Sequence, residues 1–254
     1  MKIDLEIREN INALSSAVAG TEHAPYLADM RIRYEFLLGR LKSETGNGRV
    51  LDVGASPGLL TSLMRDLGFD ASGLDLHPDK RFPPAVSDRE TNLFAEYDIP
   101  VVQCNVLSEP FPFGDGTFDA VMMNESIEHL AGPPLHCLRE IRRVLKPGGR
   151  LYLTTPNVTY LANRLRFLAG RNIHTPIETL VNVPQYKLHY REYTMYELED
   201  LASRAGLSVV EKGYINFGGE QRTGVRKIAR AAYYSLTRLW PRGRSNLYLA
   251  ATPG

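Results

Sequence analysis

The stretch VLDVGASPGLLTSLMRDLG, residues 50–68, decides how the chain is expected to fold. Its apolar run reaches Asp52, small residues follow at Gly54, Ser56 and Gly58, and a helical pattern comes next. Small residues let the backbone turn tightly and approach a ligand closely. The unpaired N–H groups at the start of a helix face the same ligand. The stretch therefore predicts a strand, a nucleotide-type binding loop and a helix.

The loop does not match the two commonest phosphate-binding loops. A dinucleotide fingerprint asks for glycine at positions 54, 56 and 59, where this chain has Gly54, Ser56 and Leu59. A triphosphate-binding P-loop ends in Gly-Lys-Ser/Thr, which is absent from this stretch. Binding of a pyrophosphate or a triphosphate by this loop is therefore not expected.

Short apolar runs alternate with helical patterns along the rest of the chain, and a helical pattern follows each of the first four runs. This alternation predicts an α/β fold with a mainly parallel sheet. Two further runs near the C-terminus form a plausible edge pair. The runs lie at 49–54, 73–76, 101–106, 118–124, 150–155, 207–215 and 246–251.

The composition of the 254 residues is that of a globular protein, with 43% hydrophobic and 23% charged residues. A net charge of +1 gives no overall field that would favour nucleic acid.

The two cysteines lack the CxxC spacing, which argues against a disulfide framework or structural zinc. The N-terminus lacks a signal peptide's apolar run, and there is no stretch of eighteen apolar residues. A cytoplasmic protein is expected.

The chain divides into an N-terminal helical cap, residues 1–45, and a catalytic domain, residues 46–254, with a specificity insertion at about 156–193. Helical spacing of apolar residues at 4–18 and 26–42 supports the cap. The cap either covers a binding cleft or only packs on the sheet. Long connections on one side of an α/β sheet commonly carry substrate specificity.

Two polar residues end the second and third predicted strands. Asp75 lies about twenty residues after the glycine loop, where an acid that binds both ribose hydroxyls is expected. It could instead cap a helix. Asn105 could reach an adenine amino group or could form a turn.

The motifs VLDVGASPG, GLDL, CNVLSEPFPFGDGTFDAVMMNESIEHL and LKPGGRLYLTTPN, in that order, resemble those of class I S-adenosylmethionine (SAM)-dependent methyltransferases. The resemblance runs from about Arg49 to Gly206. It implies a Rossmann-like, seven-stranded, mostly parallel sheet with a reversed C-terminal β-hairpin, helices on both faces, and SAM over the carboxyl ends of strands one to four. Ser56 replaces the commoner middle glycine, and Asn105 stands where the family more often has Asp. The implied cofactor-binding residues are Asp52, Gly54, Ala55, Ser56, Gly58, Asp75, Leu76, Asn105, Val106 and Asn124.

The stretch NESIEHL, 124–130, follows the fourth predicted strand and places Glu125, Glu128 and His129 at i, i+3 and i+4. On a helix these positions share one face, beside the ligand crevice. Three interpretations remain open. The groups brace the loop, or the catalytic residues are a base drawn from His129 or His189 together with Glu128, or the cluster binds a metal.

The metal interpretation rests on a further resemblance. The pattern Glu-x-x-Glu-His, followed later by His189 before a helix starting near Thr194, resembles two metal-using groups. They are the small-RNA 3′-terminal 2′-O-methyltransferases and the ubiquinone-pathway catechol O-methyltransferases, in which a metal holds two neighbouring hydroxyls. The implied ligands are Glu125, Glu128, His129 and His189, and mixed oxygen and nitrogen ligands suit Mg²⁺ or Mn²⁺.

The expected reaction is therefore O-methylation of a small molecule, a saccharide or a glycolipid precursor. The stretch at 155–172 resembles an insertion in methyltransferases of polysaccharide and cell-envelope synthesis. A basic, acid-free segment at 222–244 suits peripheral contact with an anionic headgroup at the inner face of a membrane. Transfer to carbon or nitrogen, an RNA terminal ribose as acceptor, and a non-catalytic SAM-binding module remain alternatives. Nucleic acid is the less favoured partner, and no pattern indicates an oligomeric state.

Overall fold

A seven-stranded sheet organises the chain in a computed structural model, which describes residues 4–21, 23–76, 94, 98–182, 188–217 and 225–254. The strands, in chain order, are β1 (Arg49–Val53), β2 (Asp70–Asp75), β3 (Val101–Gln103), β4 (Phe118–Asn124), β5 (Leu145–Pro156), β6 (Leu207–Ile215) and β7 (Asn246–Pro253). Their order across the sheet is β3-β2-β1-β4-β5-β7-β6.

The strand directions confirm the predicted fold class. Strands β1 to β5 run parallel to one another. Strand β7 lies between β5 and β6 and is antiparallel to both. The chain leaves β1 towards β2 on one side and returns to β4 on the other. This reversal of strand order creates a crevice at the carboxyl ends of β1 and β4, where open α/β sheets bind ligands.

Helices cover both faces of this sheet, as predicted. They are α1 (Leu5–Ala17), α2 (His23–Thr45), α3 (Leu59–Asp66), α4 (Leu135–Val144), α5 (Leu161–Leu168), α6 (Ile177–Asn182), α7 (Met195–Arg204) and α8 (Val225–Leu239). Two short 3₁₀ turns lie at Ile127–His129 and Pro241–Gly243.

One predicted helix is wrong. The chain between β3 and β4 contains turns and bends but no helix over 104–117. Pro110 and Pro112 each lack the N–H that a helix interior needs, and Gly114 and Gly116 disfavour helix further along. The pattern that follows the second predicted strand lies at 77–93, outside the described residues.

Alternate side chains of the strands pack into two hydrophobic cores, one on each face of the sheet. Val50 and Met122 point into one core, which also receives the apolar faces of α1, α2 and α3. Leu51 and Val121 point into the other core, beneath α4 and α7. Because successive strand residues face opposite sides, a parallel sheet covered on both faces needs nearly continuous apolar strands. Helices α1 and α2 thus share a core with the sheet, and the domain boundary at 45/46 stays a prediction.

No helix among the described ranges combines the length and the apolar character needed to cross a bilayer.

The shared core predicts that α2 and the sheet unfold together. Replacing the fully buried Leu38 of α2 with Ala should lower the free energy of unfolding by about 2–5 kcal/mol. Leu5→Ala is the matched control, because Leu5 of α1 is 74% exposed and its loss should change stability by under about 0.5 kcal/mol. Urea denaturation followed by circular dichroism measures both. If Leu38→Ala leaves the main transition unchanged, α2 is a separable cap.

Candidate active site

The glycine loop after β1 is held by contacts that only glycine permits at its first position. Gly54 has φ +77°, and its N–H donates to the Leu74 carbonyl oxygen at 2.8 Å. A Cβ atom at this position would lie 2.5 Å from the Ser126 hydroxyl oxygen. The loop after β1 therefore packs directly against the loop after β4, and the two together form the floor of the crevice.

Asp75 closes the other side of that crevice. The carboxyl group is buried at the end of β2, and its Oδ2 accepts a hydrogen bond from the Ser56 N–H at 3.1 Å. Ala55 is buried in the same loop, and Leu76 is 43% exposed directly after the carboxylate. The structure thus brings the predicted loop and the predicted ribose-binding acid together. Their roles in binding SAM stay a prediction.

Asp52 lies beneath the loop and ties β1 to α3. The side chain is buried, and its Oδ2 accepts a hydrogen bond from the Thr61 hydroxyl at 2.7 Å. Burial raises the pKa of Asp52 to about 6, against the opposing effect of the Thr61 hydrogen bond. Gly58, with φ +95°, begins α3 directly above it. These contacts fix the direction in which α3 leaves the loop.

The remaining predicted cofactor residues lie at the ends of β3 and β4. The Asn105 side-chain oxygen accepts a hydrogen bond from the Leu107 N–H at 3.1 Å, so this residue forms a turn. Val106 is partly buried beside it. The Asn124 side-chain oxygen accepts a hydrogen bond from the Thr154 hydroxyl at 2.8 Å. A turn was one of the two roles predicted for Asn105. The side-chain NH₂ group of Asn105 can still donate a hydrogen bond.

The sequence predicted that Glu125, Glu128 and His129 share one helical face, and this prediction is wrong for Glu125. Glu125 has φ +47°, in the left-handed region, and the 3₁₀ turn that follows spans only Ile127–His129. Glu125 is thereby directed to Arg33 of α2, whose Nη2 lies 3.1 Å from its Oε2. The Asn246 side chain also donates to the same oxygen at 3.3 Å. These partners hold Oε2 of Glu125, its Oε1 is buried without a hydrogen-bond partner, and the residue lies outside the metal-capable group.

Glu128, His129 and His189 do converge. Each offers one ligand atom, and these three atoms lie within 4.8 Å of one another. The two imidazole rings have centroids 4.8 Å apart and stand at 80°. Two ligands on opposite sides of one divalent ion lie about 4.4 Å apart. Small side-chain shifts would therefore let one ion contact all three residues.

Hydrogen bonds outside this group orient both rings. His129 Nδ1 lies 3.0 Å from the Leu188 carbonyl oxygen, and His189 Nδ1 lies 3.0 Å from Glu192 Oε1. Both partners can only accept, so each Nδ1 carries the proton and the lone pair of the neutral ring lies on Nε2. Metal-binding histidines are commonly held in this way by a carbonyl or carboxylate partner.

Glu128 is the buried member of the group. The Thr155 hydroxyl donates to its Oε2 at 2.9 Å, whereas Oε1 has no hydrogen-bond partner. Burial, reinforced by the nearby charge of Glu125, raises the pKa of Glu128 well above its usual range. A buried carboxylate oxygen without a partner indicates a place for a cation or another polar group. The residues present therefore fit a divalent metal.

Backbone contacts bring His189 to the turn across some sixty residues of sequence. The Glu128 carbonyl oxygen accepts hydrogen bonds from the N–H groups of Tyr190, at 2.8 Å, and Arg191, at 3.3 Å. Helix α7 begins next, where Thr194 and Glu197 form a capping box. The predicted helix start near Thr194 is confirmed. This cap fixes where the segment carrying His189 must end.

Sequence reasoning left open that the N-terminal helices cover a cleft, but it did not single out Arg33 of α2. Arg33 is only 6% exposed, its Cζ lies 4.9 Å from the centroid of the Phe217 ring, and its Nε has no hydrogen-bond partner. A single Arg within a helical apolar pattern gives no signal of its own. The fold nevertheless places a buried cation beside Glu125, at the edge of the crevice. Its unpartnered N–H, like Glu128 Oε1, leaves room for the polar groups of a bound ligand.

A groove of about 520 Å³ adjoins the residues that follow this turn. Its lining includes Leu130 and Tyr190, the residues that follow His129 and His189 in sequence, and also Tyr193 and Tyr196. The groove gives a bulky molecule an aromatic surface next to the histidine pair.

Comparison with known proteins agrees with this geometry. A family profile described as a methyltransferase domain matches residues 22–212. The chain belongs to the class I SAM-dependent methyltransferases. A ubiquinone biosynthesis O-methyltransferase from Xanthomonas euvesicatoria is 30% identical over 179 residues, which are 70% of this chain and 69% of that protein. The methyltransferase is therefore an enzyme that uses SAM.

Solved structures show the same fold at lower identity. A SAM-dependent methyltransferase from Archaeoglobus fulgidus is 19% identical, with a TM-score of 0.54 over 89% of this chain and 98% of that one. A geranyl diphosphate C-methyltransferase from Streptomyces coelicolor, bound to Mg²⁺, geranyl diphosphate and S-adenosylhomocysteine, is 17% identical, with a TM-score of 0.56 over 93% and 84%. At these identities the likeness establishes the methyltransferase fold alone.

Gly54→Ala should abolish binding of S-adenosylhomocysteine, because its Cβ would collide with Ser126. Gly148→Ala is a matched control. Gly148 has nearly the same φ, +79°, but a Cβ there meets nothing within 4 Å. The control should lose only about 1 kcal/mol of stability and keep its affinity. Isothermal titration separates the two, and equal affinities would mean that the loop does not contact the cofactor.

Asp75→Asn should weaken binding of S-adenosylhomocysteine by about 1.5–3 kcal/mol, the usual worth of hydrogen bonds to a charged acceptor. Asp70→Asn is the control, because Asp70 begins the same strand, is largely exposed and pairs with Arg49. Titration calorimetry at fixed ionic strength gives both affinities. Unchanged affinity in Asp75→Asn would show that the ribose lies elsewhere.

Proposed function

We propose that this methyltransferase transfers its methyl group to oxygen, on an acceptor that carries two neighbouring hydroxyl groups. The acceptor class is a small catechol or a saccharide, free or attached to a lipid. One observation carries the proposal: Glu128, His129 and His189 converge in a 4.8 Å group beside the crevice.

The donor half of the reaction needs little from the protein beyond placement. The sulfonium of SAM is already an activated methyl donor, so alignment of the acceptor with the S–CH₃ bond supplies much of the rate. The backbone at Gly54 and the carboxylate of Asp75 are the proposed contacts of the cofactor's methionine and ribose parts. In transfer, the acceptor oxygen bonds to the methyl carbon as the carbon–sulfur bond breaks, and S-adenosylhomocysteine leaves.

The acceptor half needs a hydroxyl that loses its proton. A hydroxyl is a poor nucleophile until a base removes its proton or a cation lowers its pKa. The Nε2 lone pairs of His129 and His189 are the groups suited to receive that proton, because their Nδ1 atoms already donate to Leu188 and Glu192. Glu128, held by the Thr155 hydroxyl, places a carboxyl oxygen beside them.

When Mg²⁺ or Mn²⁺ is bound, the same three residues are its proposed ligands, and the ion would take the place of a histidine base in activating the hydroxyl. Such an ion, when bound, would hold two neighbouring oxygens and lower the pKa of the one that attacks. Within the chain, Leu188 and Glu192 keep the histidine rings oriented, and Thr155 keeps Glu128 in place. Arg33 forms an ion pair with Glu125, which lies outside the group of Glu128, His129 and His189. We do not assign Glu125 as a ligand.

Relatives support transfer to oxygen. The matched region of the Xanthomonas protein, a ubiquinone biosynthesis O-methyltransferase, spans most of both chains. The resemblance of the Glu-x-x-Glu-His pattern to metal-using O-methyltransferases points the same way. The aromatic groove lined by Tyr190 and Tyr196 suits a ring stacked beside the histidines.

A paired-acceptor assay tests the proposal. The enzyme, with SAM and Mg²⁺, is given catechols and vicinal-diol sugars alongside matched analogues that have one of the two hydroxyls removed. We expect methyl ethers from at least one diol acceptor and far slower transfer to its analogue, detected by NMR and mass spectrometry. Products methylated on carbon or nitrogen, or equal rates for diol and analogue, would contradict it.

Metal binding can be measured without knowing the acceptor. His189→Ala should weaken Mn²⁺ binding at least tenfold, the usual cost of losing one ligand or its outer contact. His174→Ala is the control, because His174 lies nearby in the chain and is exposed. Electron paramagnetic resonance of Mn²⁺ gives the bound fraction. If both variants bind like the wild type, the group is a base cluster and not a metal site.

A further inference from the structure

The exposed side of α5 and the C-terminal end of α8 form a surface outside the candidate active site. We call residues 161–168 and 230–242 the α5–α8 surface. Large apolar side chains protrude from it, and Leu168 and Leu239 are 81% and 87% exposed. The others are Leu165, Phe167, Leu236 and Trp240.

The start of α5 and the end of α8 are neighbours in space. Arg164 of α5 lies over the indole of Trp240, with its Cζ 5.0 Å from the ring centroid. A Cβ atom on Gly243, in the turn after α8, would lie 3.4 Å from Cβ of Leu161. Helix α5 and helix α8 therefore pack on either side of the same short turn.

The helical spacing on α8 directs its apolar residues outward together. Leu236 and Leu239 stand at i and i+3, which share one face of the helix, and Trp240 follows directly after the helix ends. Thr237, between them in sequence, is fully buried against the protein. The apolar face is thus turned towards solvent while a polar residue points inward, the reverse of what packing on the protein's own core requires.

The exposed charged side chains on this surface are all basic. Four arginines on it are exposed: Arg164, Arg166, Arg238 and Arg242. The sequence contains no Asp or Glu from 155 to 177 or from 221 to 254. These two segments hold 10 of the chain's 30 basic residues, so the rest of the chain carries 20 basic and 29 acidic residues. A cationic patch with protruding apolar groups is therefore a local feature.

We infer that the α5–α8 surface docks on an anionic lipid bilayer. Arginines beside leucine and phenylalanine can reach lipid phosphates while the apolar side chains enter the boundary between headgroups and acyl chains. Tryptophan favours that same depth. Arginines close to an anionic membrane are attracted by its negative surface potential. The charge and the shape of the patch thus fit one occupant, a membrane surface rich in anionic lipid.

Docking would also orient the active site. The Asn157 side chain donates to the carbonyl oxygens of Arg242 and Arg244, at 3.2 and 2.8 Å. The same residue pairs with Tyr193, four positions after His189. The docked turn is therefore joined to the segment that carries the histidine. The acceptor class that fits such a placement is a diol attached to a lipid, held at the bilayer surface. This last step rests on the proposed function, whereas docking itself does not.

Vesicle sedimentation tests the docking directly, with the full chain and without cofactor or acceptor. Vesicles of phosphatidylcholine alone are compared with vesicles containing about 30% phosphatidylglycerol. We expect binding to the anionic vesicles that weakens as salt rises. Phe167→Ser with Leu168→Ser should reduce the partition coefficient at least tenfold, and Arg166→Gln with Arg238→Gln should reduce it by more than tenfold.

Matched controls are available on other faces of the protein. Leu5→Ser removes an apolar group that is 74% exposed on α1, and Arg139→Gln removes an exposed cation on α4. Both should bind vesicles like the wild type. Circular dichroism melting confirms that every variant folds.

Three outcomes would overturn the inference. They are no binding to anionic vesicles at low salt, equal losses in the control variants, and a stable dimer in sedimentation velocity that Phe167→Ser dissociates while vesicles are not bound. The last result would assign the patch to a second copy of the chain. Because no methyl transfer is measured, a failure of the O-methyl proposal leaves this test unaffected.

Discussion

Two backbone hydrogen bonds hold the candidate active site together. The carbonyl oxygen of Glu128 accepts from the N–H groups of Tyr190 and Arg191, and so joins the turn after β4 to the segment before α7. Without this junction His129 and His189 would belong to separate loops. Backbone groups buried at such a junction must find partners, so the pairing is favoured whatever side chains surround it. The histidines then need only their outer acceptors, Leu188 and Glu192, to set the ring orientations.

Two carboxylates lie at the junction, and each keeps one buried oxygen without a hydrogen-bond partner. Arg33 reaches from α2 to pair with Glu125, which removes that acid from the convergent group. Glu128 keeps a single hydroxyl donor and one oxygen without a partner. An isolated buried carboxylate costs folding free energy. The observation suits a site in which a ligand or an ion completes the electrostatics, as in many enzymes where binding offsets a local cost.

Most of the correct predictions came from spacings between residues that lie close together in the sequence. The loop at Gly54 and the acid at Asp75 were recognisable because each follows a strand at a fixed spacing, and the structure brings them to the same crevice. Glu125 was placed wrongly, because one residue in a left-handed conformation breaks a helical spacing and an acid gives no sign of adopting it. Arg33, Thr155 and Glu192 could not be found, since their contacts depend on how distant segments meet. The partnering of His189 with the turn was suggested by family resemblance and not by its own surroundings.

The methyl-donor cleft and the convergent group form one account, in which SAM lies over Gly54 and Asp75 while Glu128, His129 and His189 hold the acceptor. The most direct test is anomalous diffraction from crystals grown with S-adenosylhomocysteine and Mn²⁺. The account predicts a manganese peak about 2.2 Å from a nitrogen of each histidine and from a Glu128 oxygen, with the ribose hydroxyls on Asp75. A cofactor bound in that cleft with no manganese at the group, or with manganese held elsewhere, would contradict it.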